Sequence, residues 1–387
     1  MIPYGRQSIS QDDIDAVIRV LKSDYLTQGP VVPLFEEAVA KHVGGEFGVA
    51  VNSATSALHI SCLALGVGKG DIVWTSAITF VASANCAFYC GASVDFIDIE
   101  AETYNMSIPA LEKKLISAQK NGQLPKVVIP VHLCGQSCDM KAISELGVKY
   151  GFKIIEDASH GIGGKYEDDF IGSCKYSDIT VFSFHPVKII TSAEGGMCLT
   201  NDASLASKIQ LLRTHGITRA EDEMQKPSEG AWYYEQVDLG FNYRMTEMQG
   251  ALGLSQLDKL NQFVQIRNKI ARQYIADFSD SVIGFQKPHP RCLSAYHLFV
   301  IEIPEDYSRL PKKQIFEVLR GLKINVNLHY IPVYHHPFYK RLNIFNPSDY
   351  PNAEAYYSKA ISIPIYPDLT EEQRVFIVNS VQGLISL

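Results

Sequence analysis

One lysine stands at the end of an apolar stretch, Asp178–Lys188, whose last residues include a hydroxyl, an imidazole and a proline. A turn that contains Gly195 and Gly196 follows it closely. Lysine is rarely placed in such a position for packing. A desolvated lysine amine can instead form an imine with an aldehyde. The alternative interpretation of Lys188 is a surface lysine in a turn, and the residues around it favour the chemical one.

A carboxylate ends a second apolar strand pattern, Lys153–Asp157. In a parallel sheet, ligands bind beyond the carboxyl ends of the strands. Asp157 is therefore placed to keep the nitrogen of a bound pyridine-type ring protonated. The next side chain back, Glu156, points to the other face of the sheet. The alternative role for Asp157 is that of a helix N-cap.

A phosphate site is indicated at Asn52–Ser56, which lies between a predicted strand and a predicted helix. Backbone amides at a helix N-terminus favour phosphate, and the hydroxyls add donors. Simple capping by Ser53 or Thr55 is the alternative, and the two roles are compatible. Ser183 is a further hydroxyl near Lys188 that can complete the site.

Phe80 is a fourth candidate. It follows a predicted strand, and its side chain can act as a ring clamp by stacking on one face of a planar ligand. A core phenylalanine is the alternative. His160 and His185 are close in sequence to Asp157 and Lys188, so either can support those residues through a hydrogen bond. Their spacing is not that of a metal site. A lysine, a nitrogen partner, a phosphate cradle and a ring clamp are what a protein supplies to pyridoxal 5'-phosphate (PLP). The sequence predicts this cofactor, with pyridoxamine 5'-phosphate (PMP) during turnover, and no metal.

Composition narrows the class of protein. The chain has 387 residues, 46% of them hydrophobic and 20% charged, with a net charge of −7. This length favours two domains. The absence of a long basic block argues against nucleic acid or a membrane surface as a partner. The uncharged stretch 72–94 is interrupted by polar residues, which favours a strand, a turn and a helix over a membrane span. Eight cysteines without a Cys-x-x-Cys pair, and no apolar leader, predict a cytoplasmic protein with reduced thiols.

The order of elements predicts an α/β protein with a mostly parallel sheet. Predicted strands are Phe47–Val51, Ile72–Trp74, Ser93–Ile97, Lys126–Leu133, Lys153–Ile155, Ile179–Phe184, Tyr296–Ile303 and Ile324–His329. Predicted helices are Ala54–Leu65, Phe80–Tyr89, Leu111–Ala118, Asp139–Tyr150, a pair within Met245–Phe278, Lys312–Leu322 and Glu371–Val381. The change of pattern near residue 245 predicts a smaller α+β domain after it.

Five motifs in a fixed order resemble the DegT/StrS-type sugar-nucleotide aminotransferases: Asn52–Ser56, Glu156–His160, Ser183–Lys188, Ala193–Gly196 and Gly240–Met245. The resemblance extends from Ile2 to the C-terminus. It implies an aspartate-aminotransferase-like architecture (PLP fold type I) with a mixed, mostly parallel seven-stranded sheet. The large PLP-binding domain would span residues 1–250, with segment 1–30 contributing to the substrate site. The small C-terminal domain would span residues 251–387.

The same resemblance implies roles for individual residues. Lys188 would bind PLP and move the proton, and Asp157 would pair with the pyridine nitrogen. Ser183, with Ala54 and Thr55, would hold the phosphate. Asn242 would reach the cofactor phosphate of a neighbouring subunit, which implies a homodimer with shared active sites.

Three further segments, 2–7, 23–30 and 131–140, are most similar to one subgroup, the C4-aminotransferases of pseudaminic acid biosynthesis. The resemblance implies L-glutamate as donor, 2-oxoglutarate as its product, and UDP-2-acetamido-2,6-dideoxy-β-L-arabino-hex-4-ulose as acceptor. The implied substrate contacts are Tyr4, Leu26, Thr27, Gln28, Gly29, Ser56, Ser183, Asn242, His329 and Tyr330. Arg213, Arg219 and Arg244 are candidates for the glutamate carboxylate, with ordinary salt bridges as the alternative.

Three other functions are alternatives to this one. A transaminase for another keto sugar, on a dTDP or GDP carrier, is poorly separated by sequence. A PLP-dependent sugar dehydratase of the same fold has histidine in place of the lysine, so Lys188 argues against it. A non-catalytic regulator would predict loss of Lys188 or Asp157, and both are present.

Overall fold

The structure is a computed structural model that describes residues 1–385. Strands β1 to β15 are, in order, Phe47–Val51, Ile72–Ser76, Ser93–Ile97, Val127–Ile129, Lys153–Asp157, Lys165–Tyr166, Asp169–Phe170, Ile179–Ser183, Gly196–Thr200, Ile217–Thr218, Glu235–Gln236, Gly284–Phe285, Cys292–Leu293, Phe299–Glu302 and Ala360–Ile363. Helices α1 to α13 are Gln11–Leu21, Val31–Val43, Ala54–Ala64, Ala82–Tyr89, Ile108–Asn121, Met140–Tyr150, Ala203–Arg213, Glu247–Leu257, Leu260–Phe278, Lys312–Gly321, Pro337–Lys340, Pro351–Lys359 and Glu371–Gln382.

A seven-stranded sheet has the order β1-β9-β8-β5-β4-β2-β3. Strands β8, β5, β4, β2 and β3 pair in parallel. Strand β9 is antiparallel to both of its neighbours, so β1 runs in the same direction as the other five. The predicted mixed, mostly parallel seven-stranded sheet is confirmed.

Both faces of this sheet are covered, as expected for parallel strands. Along β8, all five residues are buried. Val181 packs into the hydrophobic cluster that includes residues of α3 and α4. The next residue, Phe182, packs into the cluster on the other face, with Phe35 and Val39 of α2. This alternation is the two-residue period of a strand, and it leaves only the strand ends free for chemistry.

Three elements deliver candidate residues to one edge of the sheet. Asp157 is the last residue of β5, and Ser183 is the last residue of the adjacent β8. Helix α3 begins at Ala54, shortly after β1 ends at Val51. The carboxyl ends of parallel strands share an edge, so these residues meet where α/β proteins bind ligands.

A separate hydrophobic cluster lies in the C-terminal part of the chain. It joins the second half of α9, helices α10 and α13, the small sheet β12-β14-β15, and Ile2 from the N-terminus. The first half of α9 packs instead against the large sheet. Residue 250 lies inside α8, and the division into domains 1–250 and 251–387 stays a prediction.

Most predicted strands and helices agree with the structure to within a few residues, and β1 and β3 match at both ends. The predicted strand Ile324–His329 is wrong. That segment forms only single bridges, Ile324 with Ile2 and Asn327 with Ser362, so no continuous ladder forms. The predicted strand Lys126–Leu133 is shorter because Pro130 has no N–H to donate.

The uncharged stretch 72–94 forms β2, α4 and the beginning of β3, as predicted. Among residues 1–385, no helix is at once long enough and apolar enough to cross a bilayer.

The close approach of α3 to the sheet can be tested at Gly196. This residue pairs with Ser183 of β8 on one side and with Val51 of β1 on the other. A Cβ at this position would lie 2.5 Å from the backbone nitrogen of Ala54 and from the carbonyl carbon of Ser53. We expect Gly196→Ala to destabilise the apoprotein by about 1–3 kcal/mol, a typical cost of overpacking, and to lower its Tm in a thermal melt.

Gly68→Ala is the matched control, because a Cβ at Gly68 would meet no atom within 4 Å. We expect that variant to melt at or slightly above the wild-type temperature. Equal melting temperatures for Gly196→Ala and Gly68→Ala would contradict the close approach of α3 to the sheet.

Candidate functional site

A cavity of about 880 Å³ opens at the carboxyl edge of the sheet. It brings together most of the predicted site residues. Those that line it are Tyr4, Asn52, Ser53, Ala54, Thr55, Ser56, Phe80, Asp157, His160, Ser183, His185, Lys188, His329 and Tyr330. The residues come from the N-terminal segment, from the carboxyl edge of the large sheet and from the 327–330 segment, so the cavity lies where the parts of the chain converge.

Lys188 lies in the connection between β8 and β9. Its backbone N–H donates to the carbonyl of His185 at 2.9 Å, which closes a turn, and the Phe184 N–H donates to the carbonyl of Gly195 at 2.9 Å. Burial lowers the pKa of Lys188 to about 8, while the charge of Asp157 acts in the opposite direction. A substantial fraction of the amine is therefore neutral near physiological pH, as a nucleophile requires.

Asp157 is buried, and both oxygens of its carboxylate are anchored. The Ser83 hydroxyl donates to Oδ2 at 2.6 Å, and the Ser159 backbone N–H donates to Oδ1 at 3.1 Å. Its backbone carbonyl accepts from the His132 N–H at 3.1 Å. The carboxylate is thus held in a fixed orientation at the cavity wall.

Glu156 points to the other face of the sheet, as strand alternation predicts. Its Oε2 lies 2.7 Å from Nε2 of buried His132, whose Nδ1 accepts the Cys138 backbone N–H at 3.1 Å. Burial raises the pKa of Glu156, but hydrogen bonds from His132, Ser177 and Thr180 outweigh it, and the pKa lies below its ordinary value. This carboxylate is fully engaged away from the cavity.

The first turn of α3 forms a site for an anion. Ser53 caps the helix by accepting the Ser56 backbone N–H at 3.1 Å, and the Ser56 hydroxyl donates to Asn52 at 2.6 Å. The backbone N–H groups of Ala54 and Thr55 stand in the first turn, where a helix offers no internal acceptor. That turn carries no acidic residue. Together with the Ser183 hydroxyl in the cavity lining, these donors fit a phosphate group.

Three buried imidazoles, those of His160, His297 and His329, line the cavity together with Lys188. His160 Nε2 lies 3.1 Å from the Tyr330 hydroxyl, and its ring centroid lies 4.4 Å from that of His297. Burial, and next the charge of Lys188, lower the pKa of His329 to about 3. Burial also lowers the pKa of His160 and of His297 well below the ordinary value. These three imidazoles are therefore polar but uncharged at neutral pH.

Phe80 lies at the mouth of the cavity, with 56% of its surface exposed. Its ring centroid is 6.0 Å from that of Tyr330. An exposed aromatic face at a cavity can stack on a planar ligand. With the amine of Lys188, the anchored Asp157 and the α3 N-terminus, the residues present fit PLP.

Some predicted residues lie outside this cavity. Asn242 and the segment Leu26–Gly29 do not line it, and Asn242 is exposed on the surface. An exposed Asn242 agrees with a role at a second subunit, and that role stays a prediction.

The three candidate arginines have other neighbours. Arg213 Nη1 lies 2.5 Å from a carboxylate oxygen of Glu36, and Arg219 stacks on Tyr234 at 5.7 Å. The backbone of Arg244 forms a bridge with Val51. Within residues 1–385, no arginine lines the cavity, and no group of three or more His, Cys, Asp or Glu side chains is arranged to hold a metal.

Other lining residues were not identified from the sequence. The polar ones are Thr79, Ser159, Glu194, Gln249, His297 and Asn327. His297 was placed in a predicted strand, Tyr296–Ile303, whereas the strand begins at Phe299 and leaves the imidazole free to face the site. A histidine and a tyrosine side by side in an apolar run were the available signal.

Comparison with known proteins agrees with this arrangement. The model of the DegT/DnrJ/EryC1/StrS aminotransferase family matches residues 7–382. A Campylobacter jejuni protein, UDP-4-amino-4,6-dideoxy-N-acetyl-beta-L-altrosamine transaminase, is 37% identical, and the alignment covers 100% of this chain and 98% of that protein.

Solved structures are also similar. Helicobacter pylori PseC, an aminotransferase involved in the biosynthesis of pseudoaminic acid, has a TM-score of 0.91 at 32% identity, with 99% of this chain and 98% of that chain covered. Spr1654 from Streptococcus pneumoniae is 28% identical, with TM-scores of 0.89 in its PMP form and 0.88 in its PLP form. These two alignments cover 99% of this chain and 99% and 98% of the Spr1654 chains. The fold, the residues gathered in the cavity and the match along nearly the whole chain lead to one conclusion: this protein belongs to the DegT/DnrJ/EryC1/StrS aminotransferase family.

Proposed function

We propose that this aminotransferase uses PLP to move the amino group of L-glutamate to C4 of UDP-2-acetamido-2,6-dideoxy-β-L-arabino-hex-4-ulose. The product is UDP-4-amino-4,6-dideoxy-N-acetyl-β-L-altrosamine. The observation that carries the proposal is the meeting of Lys188, Asp157 and the N-terminus of α3 in one cavity. The Campylobacter jejuni transaminase and PseC support the choice of sugar.

When bound, PLP supplies an aldehyde that carries the amino group and a ring that withdraws electrons. The Asp157 carboxylate accepts a hydrogen bond from the pyridine N–H and keeps that nitrogen protonated. The amides of Ala54 and Thr55 and the Ser183 hydroxyl bind the phosphate. Phe80, which lines the cavity with an exposed ring, would stack on the cofactor and limit access of water to it.

Lys188 moves the proton in both half-reactions. Its Nζ removes the proton from Cα of glutamate, and after 2-oxoglutarate leaves, it delivers a proton to C4 of the sugar. Because a single amine serves one side of the cavity, it also sets the configuration of the new carbon–nitrogen bond. Neutral His160, His297 and His329 do not compete with Lys188 as proton donors at neutral pH.

Among residues 1–385, Lys188 is the one lysine or arginine that lines the cavity, and the anionic substrates need further cations. We propose that they come from a second subunit in a homodimer, with Asn242 reaching the partner's cofactor phosphate and Arg213, Arg219 or Arg244 taking the glutamate carboxylate. Five residues of the same chain line the cavity, and we assign them contacts with the sugar nucleotide: Tyr4, Ser56, Ser183, His329 and Tyr330. We place Leu26, Thr27, Gln28 and Gly29 in the substrate site formed with the partner. The eight free cysteines support a cytoplasmic location.

The sugar assignment is tested with purified holoenzyme, L-glutamate and a panel of keto sugars on UDP, dTDP and GDP carriers. We expect the highest kcat/KM for the UDP-linked 4-keto sugar, with the altro configuration of the product read by NMR. A preference for a dTDP- or GDP-linked sugar would replace the substrate and leave the chemistry of Lys188 intact.

Replacement of the lysine tests the chemistry itself. We expect Lys188→Ala to lower the transamination rate by several orders of magnitude and to abolish the near-visible absorbance of the bound cofactor, because no other lysine in the described part of the chain lines the cavity. Lys149→Ala, at an exposed lysine paired with Glu112, is the control and should behave as wild type. Full turnover by Lys188→Ala without added amine would refute the assignment.

The lowered pKa of Lys188 predicts how the apoprotein takes up PLP. Only the unprotonated amine attacks the aldehyde. The loading rate should therefore be constant above pH 8 and fall roughly tenfold for each pH unit below it. Stopped-flow absorbance of apoprotein mixed with PLP measures this profile.

Asp157→Asn provides the matched variant, because the Asp157 charge raises the pKa of Lys188. Its loading profile should bend at a lower pH than that of the wild type. A profile that keeps rising to pH 10 in both proteins would mean that Lys188 titrates like an exposed lysine.

A further inference from the structure

Two buried hydroxyl groups stand behind the Asp157 carboxylate. The Ser83 Oγ lies 2.6 Å from Asp157 Oδ2, and the Thr79 Oγ1 lies 2.8 Å from the Ser83 Oγ. Ser83 is in the first turn of α4 and is fully buried, and Thr79 is 2% exposed. The three polar groups form a chain that runs from the cavity lining at Thr79 to the carboxylate.

The direction of this chain follows from the number of protons. A carboxylate only accepts, so the Ser83 hydroxyl must donate to Asp157. Ser83 has one hydroxyl proton, and its other acceptor in reach, the Phe80 carbonyl, is more distant at 3.3 Å. The proton between Thr79 and Ser83 therefore belongs to Thr79. Both hydroxyl dipoles point toward Asp157, and such chains polarise one another.

We propose that Thr79 and Ser83 are positioning residues for the transamination: they fix the Asp157 carboxylate so that a free lone pair faces the pyridine nitrogen of the cofactor. Ser83 occupies Oδ2 and the Ser159 N–H occupies Oδ1, so rotation of the carboxylate would break both bonds. This inference rests on the proposed use of PLP. Thr79 and Ser83 would act through Asp157 and need no contact with the cofactor.

The same short segment carries the ring clamp. Phe80 lies between Thr79 and Ser83 in sequence, and its aromatic ring faces the cavity. One turn of chain thus places the aromatic cover of the ring and orients the partner of its nitrogen. A shift of this segment would displace both the Phe80 ring and the hydrogen bond to Asp157. Burial of the Thr79 and Ser83 hydroxyls holds the segment in place.

The test uses the holoenzymes of Ser83→Ala and Thr79→Val. We expect the pH midpoint of the near-visible absorbance of bound PLP to rise by about one pH unit in Ser83→Ala, because loss of one hydrogen bond to a charged group changes an equilibrium by roughly tenfold. When the pyridine nitrogen carries less positive charge, the nitrogen that joins Lys188 to the cofactor has a higher pKa. The absorbance midpoint therefore moves to higher pH. The kcat should fall roughly tenfold, with KM for the keto sugar unchanged. Thr79→Val should show smaller changes in the same directions, and Thr79→Ser should restore the wild-type midpoint.

Thr75→Val is the matched control. Thr75 is equally buried, and its hydroxyl donates at 2.9 Å to the Ile129 carbonyl rather than to the chain behind Asp157. It should leave the absorbance midpoint unchanged even if it lowers the Tm. A wild-type midpoint in Ser83→Ala, or an equal shift in Thr75→Val, would overturn the inference. Failure of the wild-type protein to bind PLP would instead overturn the proposed function.

Discussion

The site depends on the parallel pairing of β5 with β8. Asp157 pairs with Val181 in that ladder, so both strands end at the same edge of the sheet. The pairing brings the carboxylate of Asp157 and the hydroxyl of Ser183 to one cavity, and it starts the chain toward Lys188 from the same place. Because every residue of β8 is buried between two packed faces, a slip of register by one residue would move each of its side chains into the wrong cluster. The packing of the core therefore fixes the geometry of the chemistry.

Electrostatics within the cavity follow from burial more than from opposing charges. Lys188 stands among three imidazoles whose pKa values lie well below the ordinary value, so it is the principal titrating cation on its side of the wall. The carboxylate of Glu156, one residue from Asp157 in sequence, is committed to His132 on the opposite face. Separating these two acids across the sheet keeps Glu156 away from Asp157 and avoids repulsion between like charges.

Much of the architecture could be predicted from the sequence, because the large sheet is built from short apolar strands separated by clear helical patterns. Lys188 and Asp157 were identified because Asp157 ends one such strand and Lys188 comes shortly after another. The strand β9 was not, since Gly196 at its start has the character of a turn. The strand predicted at Ile324–His329 was wrong because strand formation depends on partners that are distant in sequence, here Ile2 and Ser362. His297 and the chain of Thr79 and Ser83 were missed for the same reason: their roles come from neighbours that only the fold supplies.

The connection that carries Lys188 is tied at both ends by one antiparallel ladder. Ser183 pairs with Gly196, the Phe184 N–H meets the Gly195 carbonyl, and Ser192 closes back on Phe184. The main chain of this hairpin has little room to move between the two stages of the reaction. The amine can still swing on its four-carbon stem, and rotations of that kind take far less time than domain closure. Lys188 can thus move between its positions for the donor and the acceptor by a change of side-chain rotamer, while the backbone stays in place.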